Sequence, residues 1–288
     1  MRFASGAEYL AWPRKAVTVF GMSGVGKTTL GRRLRRADWF LYSVDYRIGT
    51  RYMDEHIVDQ FKREAMKVPL LRQLLRSDSI YISSNITFEN LEPLSTFLGQ
   101  PGDPARGGLS FAEYARRQAL HRQGEIKALR DVPTFIGKAR DIYGYEHFIC
   151  DTGGSLCEVI DYDDPGDPVL RALTDDTVLI HIRASEAHVR ELIARFRAHP
   201  KPMYYDPALL ERVWRDYKRQ RGIDDDDDVD PDDFAAFGFQ RLIRHRQPLY
   251  DTIAERWGYV VEMEEAAAVR TVEDFNRLIA AAIDRAAG

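Results

Sequence analysis

The segment from Gly21 to Thr28, GMSGVGKT, most constrains the fold of this chain. Its G-x-x-x-x-G-K-T spacing is typical of a phosphate-binding P-loop. The apolar run at 16–20 before it predicts a strand, and a helix is predicted from Lys27 to about Arg36. A strand, a glycine-rich turn and a helix in this order place backbone N–H groups and a helix N-terminus where they can bind phosphate. The sequence therefore predicts a nucleotide-binding α/β domain.

Each residue type of the loop has a predicted role in binding ATP and Mg²⁺. The glycines let the backbone approach phosphate closely, Lys27 is expected to reach the β- and γ-phosphates, and the Thr28 hydroxyl is expected to ligate Mg²⁺. A predicted strand at 146–150 delivers Asp151 to its end, the place of the carboxylate that supports Mg²⁺ in P-loop enzymes. The predicted metal site is Thr28 with Asp151. The predicted nucleotide-binding residues are Gly21, Gly24, Val25, Gly26, Lys27, Thr28, Thr29 and Arg195.

Strands and helices alternate along the rest of the chain. Further strands are predicted at 39–44, 177–182 and 258–263, and the main helices at 54–76 (broken at Pro69), 110–129, 134–142, 186–197, 239–257 and 272–286. This alternation predicts a three-layer α/β/α P-loop NTPase fold with a five-stranded, mainly parallel sheet and inserted helical segments. Residues 79–83 are a candidate strand, and residues 1–15 show no periodicity and are expected to form an arm.

Composition excludes some classes of protein. The formal net charge of −4 argues against a protein that mainly coats nucleic acid. No apolar run approaches the length of a membrane helix and the first fifteen residues lack a signal-peptide core, so we expect a cytoplasmic protein without a membrane partner. Cys150 and Cys157 are expected to be reduced core thiols.

Several separated segments, in the same order, resemble those of shikimate kinases, which have a nucleoside-monophosphate-kinase-like fold. The start of the chain, AVTVFGMSGVGKTTLGRRLRR, is similar in the P-loop and the helix that follows. The later matching segments are Asp45 with Ile48, Arg122 with Glu125, Thr152-Gly153-Gly154, and Arg246-Gln247-Pro248-Leu249-Tyr250.

The resemblance implies an ATP- and Mg²⁺-dependent kinase that transfers the γ-phosphate to a hydroxyl of a small, anionic metabolite. It implies that Asp45 orients the acceptor hydroxyl and that Arg122 and Arg246 bind the acceptor's anionic group. Gly153 and Gly154 would line the acceptor. A lid would cover the γ-phosphate, and the implied catalytic residues are Lys27, Asp45, Lys201 and Arg197, with Arg195 beside them.

The chain also departs from the family pattern. Ser43 and Ser155 replace an Asp and a Gly, and Lys201-Pro202-Met203 stands where the lid has Arg-Pro-Leu. We therefore expect a single kinase domain, 1–288, with an inserted acceptor-side subdomain at 54–108 and a lid with an acidic insertion at 195–238. The insertions indicate a rebuilt acceptor pocket, for which shikimate is one candidate ligand.

Two other functions fit the same residues. The chain could be a nucleotide-dependent switch or ATPase whose insertion at 54–108 binds a protein partner. It could also be a kinase that acts on a protein or RNA, which the insertion and the arginine cluster at 32–36 suggest.

Overall fold

The computed structural model describes residues 1–288 and contains a five-stranded sheet. The strands are β1 (Ala16–Phe20), β2 (Trp39–Ser43), β3 (His147–Asp151), β4 (Val178–Arg183) and β5 (Gly258–Glu262). They lie in the order β2-β3-β1-β4-β5, and every pair of neighbours is parallel. The α/β P-loop fold predicted from the sequence is confirmed, and the sheet is wholly parallel.

Fifteen α-helices accompany the sheet. They are α1 (Gly6–Ala11), α2 (Lys27–Arg35), α3 (Val44–Arg47), α4 (Asp54–Ala65), α5 (Pro69–Arg76), α6 (Glu92–Leu98), α7 (Phe111–Arg130), α8 (Val132–Asp141), α9 (Leu156–Val159), α10 (Pro168–Thr174), α11 (Glu186–Ala198), α12 (Pro207–Arg221), α13 (Pro231–Trp257), α14 (Met263–Ala268) and α15 (Val272–Ala287). A π-helical turn, Ile48–Tyr52, and two 3₁₀ turns, Pro104–Arg106 and Asp226–Asp228, complete the regular structure.

The chain divides into two compact units. The sheet unit consists of Met1–Val44, Ile126–His199 and Ala236–Gly288, and the helical unit consists of Asp45–Glu125 and Pro200–Ala235. The boundary between the units falls within α3, α7 and α13.

The sheet unit has a strand core that is covered on both faces. All five residues of β1 are buried, as are Val178 to Ile182 of β4. Near-continuous burial is typical of parallel strands with helices on both faces. This explains why every residue of β1 except Thr18 is apolar. The Thr18 hydroxyl is satisfied by a 2.8 Å hydrogen bond with the Thr177 hydroxyl.

The helical unit has its own core of aromatic and aliphatic side chains. Trp214 of α12 stacks on Phe111 and meets Phe234 edge to face. In contrast, α5 buries none of its residues, although Leu70, Leu71, Leu74 and Leu75 follow a helical period. Pro69 begins α5 instead of ending a longer helix, as expected for proline at the first helical position.

Two local predictions were wrong, and one helix was not predicted. Residues 6–11 form a helix, capped by the Ser5 side chain and with Tyr9 buried, within the segment that was expected to be a non-periodic arm. Residues 79–83, a candidate strand, form no strand. The helix α12 was not predicted within the lid segment. Cys150 and Cys157 are buried and form no disulfide, as expected. None of the helices combines the length and the hydropathy that a membrane span requires.

Candidate functional site

The P-loop joins β1 to α2 through three glycines with positive φ. The φ angles are 137° at Gly21, 91° at Gly24 and 95° at Gly26, values that favour glycine over any other residue. At Gly21 a Cβ would lie 2.6 Å from the Ile182 carbonyl oxygen, so the turn packs closely on β4. At Gly26 a Cβ would meet nothing within 4 Å, which leaves open space where a phosphate could lie against the backbone.

Lys27 is the first residue of α2, and its ammonium group folds back over the loop. Its Nζ donates to the Gly21 carbonyl at 2.9 Å and to the Met22 carbonyl at 3.0 Å. The side chain is 7% exposed, so its charge is held inside the loop. A positive group in this position suits the binding of phosphate oxygens.

Thr28 and Asp151 lie together although 123 positions separate them in the chain. The Thr28 hydroxyl donates to Asp151 Oδ2 at 2.7 Å. Register explains the meeting, because Asp151 pairs with Val19 of β1 on one side and with Ser43 of β2 on the other. A hydroxyl beside a carboxylate is an oxygen donor set that fits Mg²⁺. The chain offers no group of three or more His, Cys, Asp or Glu side chains that could hold a metal ion.

The Thr152-Gly153-Gly154 loop continues directly from β3 and lies beside the P-loop. The Thr152 hydroxyl donates to the Val19 carbonyl at 3.2 Å. A Cβ on Gly154 would lie 3.4 Å from the Ser23 backbone nitrogen, and the Gly154 carbonyl accepts a hydrogen bond from the Tyr250 hydroxyl. Both glycines are therefore near the phosphate-binding backbone.

Arg246 of α13 is buried in an ion pair with Glu158 of α9. Its Nη2 lies 2.6 Å from Glu158 Oε2, and the two side chains are 5% and 1% exposed. Burial lowers the pKa of Arg246, but the charge and hydrogen bond of Glu158, together with Tyr250 and Cys157, raise that pKa by more. The expectation that Arg246 binds an acceptor anion stays a prediction.

Two cations predicted for the lid lie on α11 in the sheet unit. The Arg195 Nη2 is 3.6 Å from the Cβ position of Gly24, which brings Arg195 to the P-loop. Arg197 instead donates to the Gln240 Oε1 at 3.0 Å, and Phe196 between them stacks on Phe239 with ring centroids 3.8 Å apart. Arg195 is thus the better placed of the two for a phosphate at the loop.

A cavity of about 210 Å³ opens beside the P-loop. Val25 and Thr29, both predicted to bind nucleotide, line it together with Arg33, Met263 and Ala266. Its wall is largely apolar, and Arg33 is held there by hydrogen bonds to the Ala267 and Val269 carbonyls. Another cavity, of about 700 Å³, lies along β5, but its arginines Arg183 and Arg285 are paired with Glu262 and Glu265 and no chemistry is assigned to it.

The helical unit carries the remaining predicted residues. Asp45 is in α3, two residues after the end of β2, and Arg122 is half-buried on α7. A Cβ on Gly124 would be 3.3 Å from Ile48 and 3.5 Å from Tyr52, so the part of α7 that bears Arg122 packs on the turn after Asp45.

Lys201 is exposed, in the segment that precedes α12. Helix α7 forms hydrogen bonds to the same segment. The Gln118 side chain donates to the Met203 carbonyl at 3.2 Å and accepts from the Tyr205 N–H at 2.9 Å. Within this unit, the turn after Asp45, the middle of α7 and the chain after Lys201 therefore lie together.

Sequence reasoning missed two residues of the site, Glu158 and Tyr250. Glu158 was not assigned a role, although it is the one charged residue in the apolar stretch LCEVI at 156–160. An isolated acid in such a stretch indicates a buried charge that needs a partner. Tyr250 belonged to a matching segment, but its hydrogen bond to Gly154 could not be predicted from spacing.

Comparisons with known proteins add little to this description. No family model matches the chain, and no curated protein matches it. Among solved structures, shikimate kinase from Bacteroides thetaiotaomicron aligns over 94% of this chain and 95% of that chain, with 15% identity and a TM-score of 0.37. That likeness is too distant to support an argument, so the fold assignment rests on the sheet and the P-loop described above.

Proposed function

We propose that this chain is a phosphotransferase that uses ATP and Mg²⁺ and phosphorylates a hydroxyl of a small, anionic metabolite in the cytoplasm. The hydrogen bond between Thr28 and Asp151 beside the P-loop is the observation that carries the proposal. A P-loop whose threonine meets an acid at the end of a neighbouring strand has the parts that hold Mg²⁺ and nucleotide phosphates.

The roles divide between binding and proton transfer. Lys27, Arg195 and the P-loop amides would hold phosphates, and Thr28 and Asp151 would hold Mg²⁺, which when bound neutralises charge on the transferred group. The apolar cavity beside Thr29 suits the base of the nucleotide. From the resemblance, Asp45 would accept the proton of the acceptor hydroxyl, and Arg122 would bind the acceptor's anionic group.

The test is ADP release from Mg-ATP with and without shikimate and a panel of hydroxy acids and sugar acids. Lys27→Ala serves as the blank, and Lys67→Ala, which changes an exposed lysine of the helical unit, serves as its control. A Lys27-dependent rise with one acceptor would support the kinase and identify its substrate class. Slow ADP release that is unchanged by every acceptor would overturn the proposed kinase activity.

A second candidate, a nucleotide-dependent switch or a kinase with a macromolecular target, is favoured by the surface around α5. No residue of α5 is buried, Leu70 is 63% exposed, and Val68 and Tyr81 nearby are 47% and 88% exposed. Exposed large apolar side chains in one segment of a chain are typical of a protein-binding surface. Partner-stimulated ATP hydrolysis without a phosphorylated metabolite would favour the switch. Labelled protein or RNA, and no labelled metabolite, after incubation with γ-labelled ATP in lysate would favour the macromolecular kinase. In either case Leu70→Ser should abolish the effect.

A further inference from the structure

Glu158 and Arg246 make a buried ion pair whose two charges cancel. The Nη2 to Oε2 distance is 2.6 Å, and neither side chain is more than 5% exposed. A buried pair of this kind depends on both members, because removal of one leaves the charge of the other without compensation in a poorly solvating environment. Glu158 lies on α9 and Arg246 on α13, so two helices fix the geometry.

The same pair adjoins the glycine loop after β3. A Cβ on Gly154 would be 3.6 Å from Arg246 Nη1 and 3.4 Å from the Ser23 nitrogen of the P-loop. Tyr250, one helical turn after Arg246 on α13, donates to the Gly154 carbonyl. The helix α13 therefore touches the loop at two points, and the loop in turn touches the phosphate-binding backbone.

We propose that Glu158 and Arg246 form a charge-neutral clamp that positions the Gly153–Gly154 backbone beside the P-loop, and that Arg246 is a positioning residue and not a ligand of the acceptor's anionic group. The inference rests on the proposed function, because phosphoryl transfer is the reaction that such positioning serves. The rate of phosphoryl transfer depends on how the reacting groups are positioned, so a shift of the Gly153–Gly154 loop should lower turnover.

Charge explains why Arg246 is a poor ligand for an acceptor anion. Its guanidinium already has a carboxylate at 2.6 Å, and an acceptor carboxylate brought to the same group would face Glu158 as well. Two negative charges around one positive charge in a buried site repel each other, which cancels much of the gain from the new contact. On this inference Arg246 does not distinguish an acidic acceptor from its uncharged carboxamide.

The test compares Arg246→Met with the wild-type protein on matched acceptors, each hydroxy acid beside its carboxamide. We expect kcat to fall about 10- to 100-fold for both forms, while the ratio of kcat/KM for acid over carboxamide stays within about twofold of the wild-type ratio. A ratio that collapses about tenfold or more in Arg246→Met would show that Arg246 binds the anion, and would overturn the clamp. Arg244→Met, an exposed arginine on the same helix, is the control and should leave both quantities unchanged.

A second measurement needs no acceptor and separates this inference from the proposed function. Thermal unfolding is followed for Glu158→Gln, Arg246→Met and the double variant. Each single change should lower Tm by about 10 °C, and the double variant should recover a large part of that loss because no charge is left stranded. Additive losses would overturn the clamp. If the wild-type protein phosphorylates no acceptor, the proposed function fails, and the Tm comparison still decides whether the pair acts as one unit.

Discussion

The hydroxyl of Thr28 donates to Oδ2 of Asp151 at 2.7 Å, and this bond joins the first turn of α2 to the end of β3. The bond places two oxygen atoms that can ligate a metal ion, one neutral and one anionic, at the end of the P-loop. Asp151 is 6% exposed, so its carboxylate is held by the sheet and cannot move far without disturbing β3. The pair is therefore a rigid element to which a divalent cation could bind.

Removal of the Asp151 charge should impair Mg²⁺-dependent turnover. We expect Asp151→Asn to lower kcat about 100-fold, because the amide keeps the shape but loses the charge that supports the cation. ATP turnover over a Mg²⁺ titration measures this, with nucleotide binding in EDTA as the companion assay, which should change little. Asp175→Asn, at the exposed end of α10, is the control. Turnover within about threefold of wild type at saturating Mg²⁺ would contradict the role.

Two glycines of the site should respond differently to alanine. Gly21→Ala should lower the free energy of unfolding by about 3 kcal/mol, because the residue has a φ of 137° and its Cβ would lie 2.6 Å from a backbone oxygen of β4. Gly154 has no positive φ, and a Cβ there would make only ordinary contacts. We therefore expect Gly154→Ala to lower the free energy of unfolding by less than about 1 kcal/mol.

Urea unfolding of the two variants checks this difference. A stable Gly154→Ala protein with lost turnover would indicate that a ligand approaches the Gly154 backbone closely. Equal destabilisation by both substitutions would contradict the packing argument.

The parts of the fold that the sequence predicts well are those set by local pattern. β1 was predicted with its observed bounds, and the P-loop and Asp151 followed from spacing and from the ends of apolar runs. Because neighbouring parallel strands end at the same edge, the sequence could also predict that Asp151 would lie near Thr28. That prediction needs only the order of strands and helices.

The parts that could not be predicted depend on contacts between distant residues. Arg246 and Glu158 are 88 positions apart, and spacing alone cannot show that a buried acid meets that arginine and no other. The family resemblance suggested that Arg246 binds the acceptor's anionic group, whereas Glu158 provides it with a fixed counter-ion. Helix α12 was missed for a related reason, since the charged residues around it obscure its apolar face of Leu209, Leu210, Val213, Trp214 and Tyr217.

Asp45 is the residue to change for the proton-transfer step. We expect Asp45→Asn to reduce phosphoryl transfer at least about 1,000-fold while MgADP binding stays near the wild-type value, because the amide cannot accept the acceptor's proton. Calorimetric binding of MgADP and the rate of product formation are measured on the same preparation. Asp59→Asn, a surface acid that pairs with Lys62, controls for loss of a charge in the helical unit. Normal transfer by Asp45→Asn would remove Asp45 from the mechanism.

His181 should make stability fall as the pH falls. It lies in β4 beneath the P-loop, stacked on Phe20 at 5.3 Å and 4% exposed. Burial, helped by Arg183 and Lys27, lowers the pKa of His181 to about 3. Its Nδ1 is 3.6 Å from an Asp251 carboxylate that is 52% exposed, and burial of the imidazole outweighs that contact.

Proton uptake by the unfolded chain explains why the stability falls when the pH falls. Between pH 6.5 and 3 the unfolded chain binds a proton at this histidine and the folded chain does not, so lower pH favours unfolding. When the pH falls from 7 to 5, the free energy of unfolding of the wild-type protein should fall by about 2 kcal/mol more than that of His181→Leu. Urea unfolding at the two pH values measures the difference, and exposed His199→Leu should retain the wild-type pH dependence. Equal pH dependence in wild type and His181→Leu would show that the imidazole takes up its proton as readily in the folded protein as in the unfolded chain, and would contradict the lowered pKa.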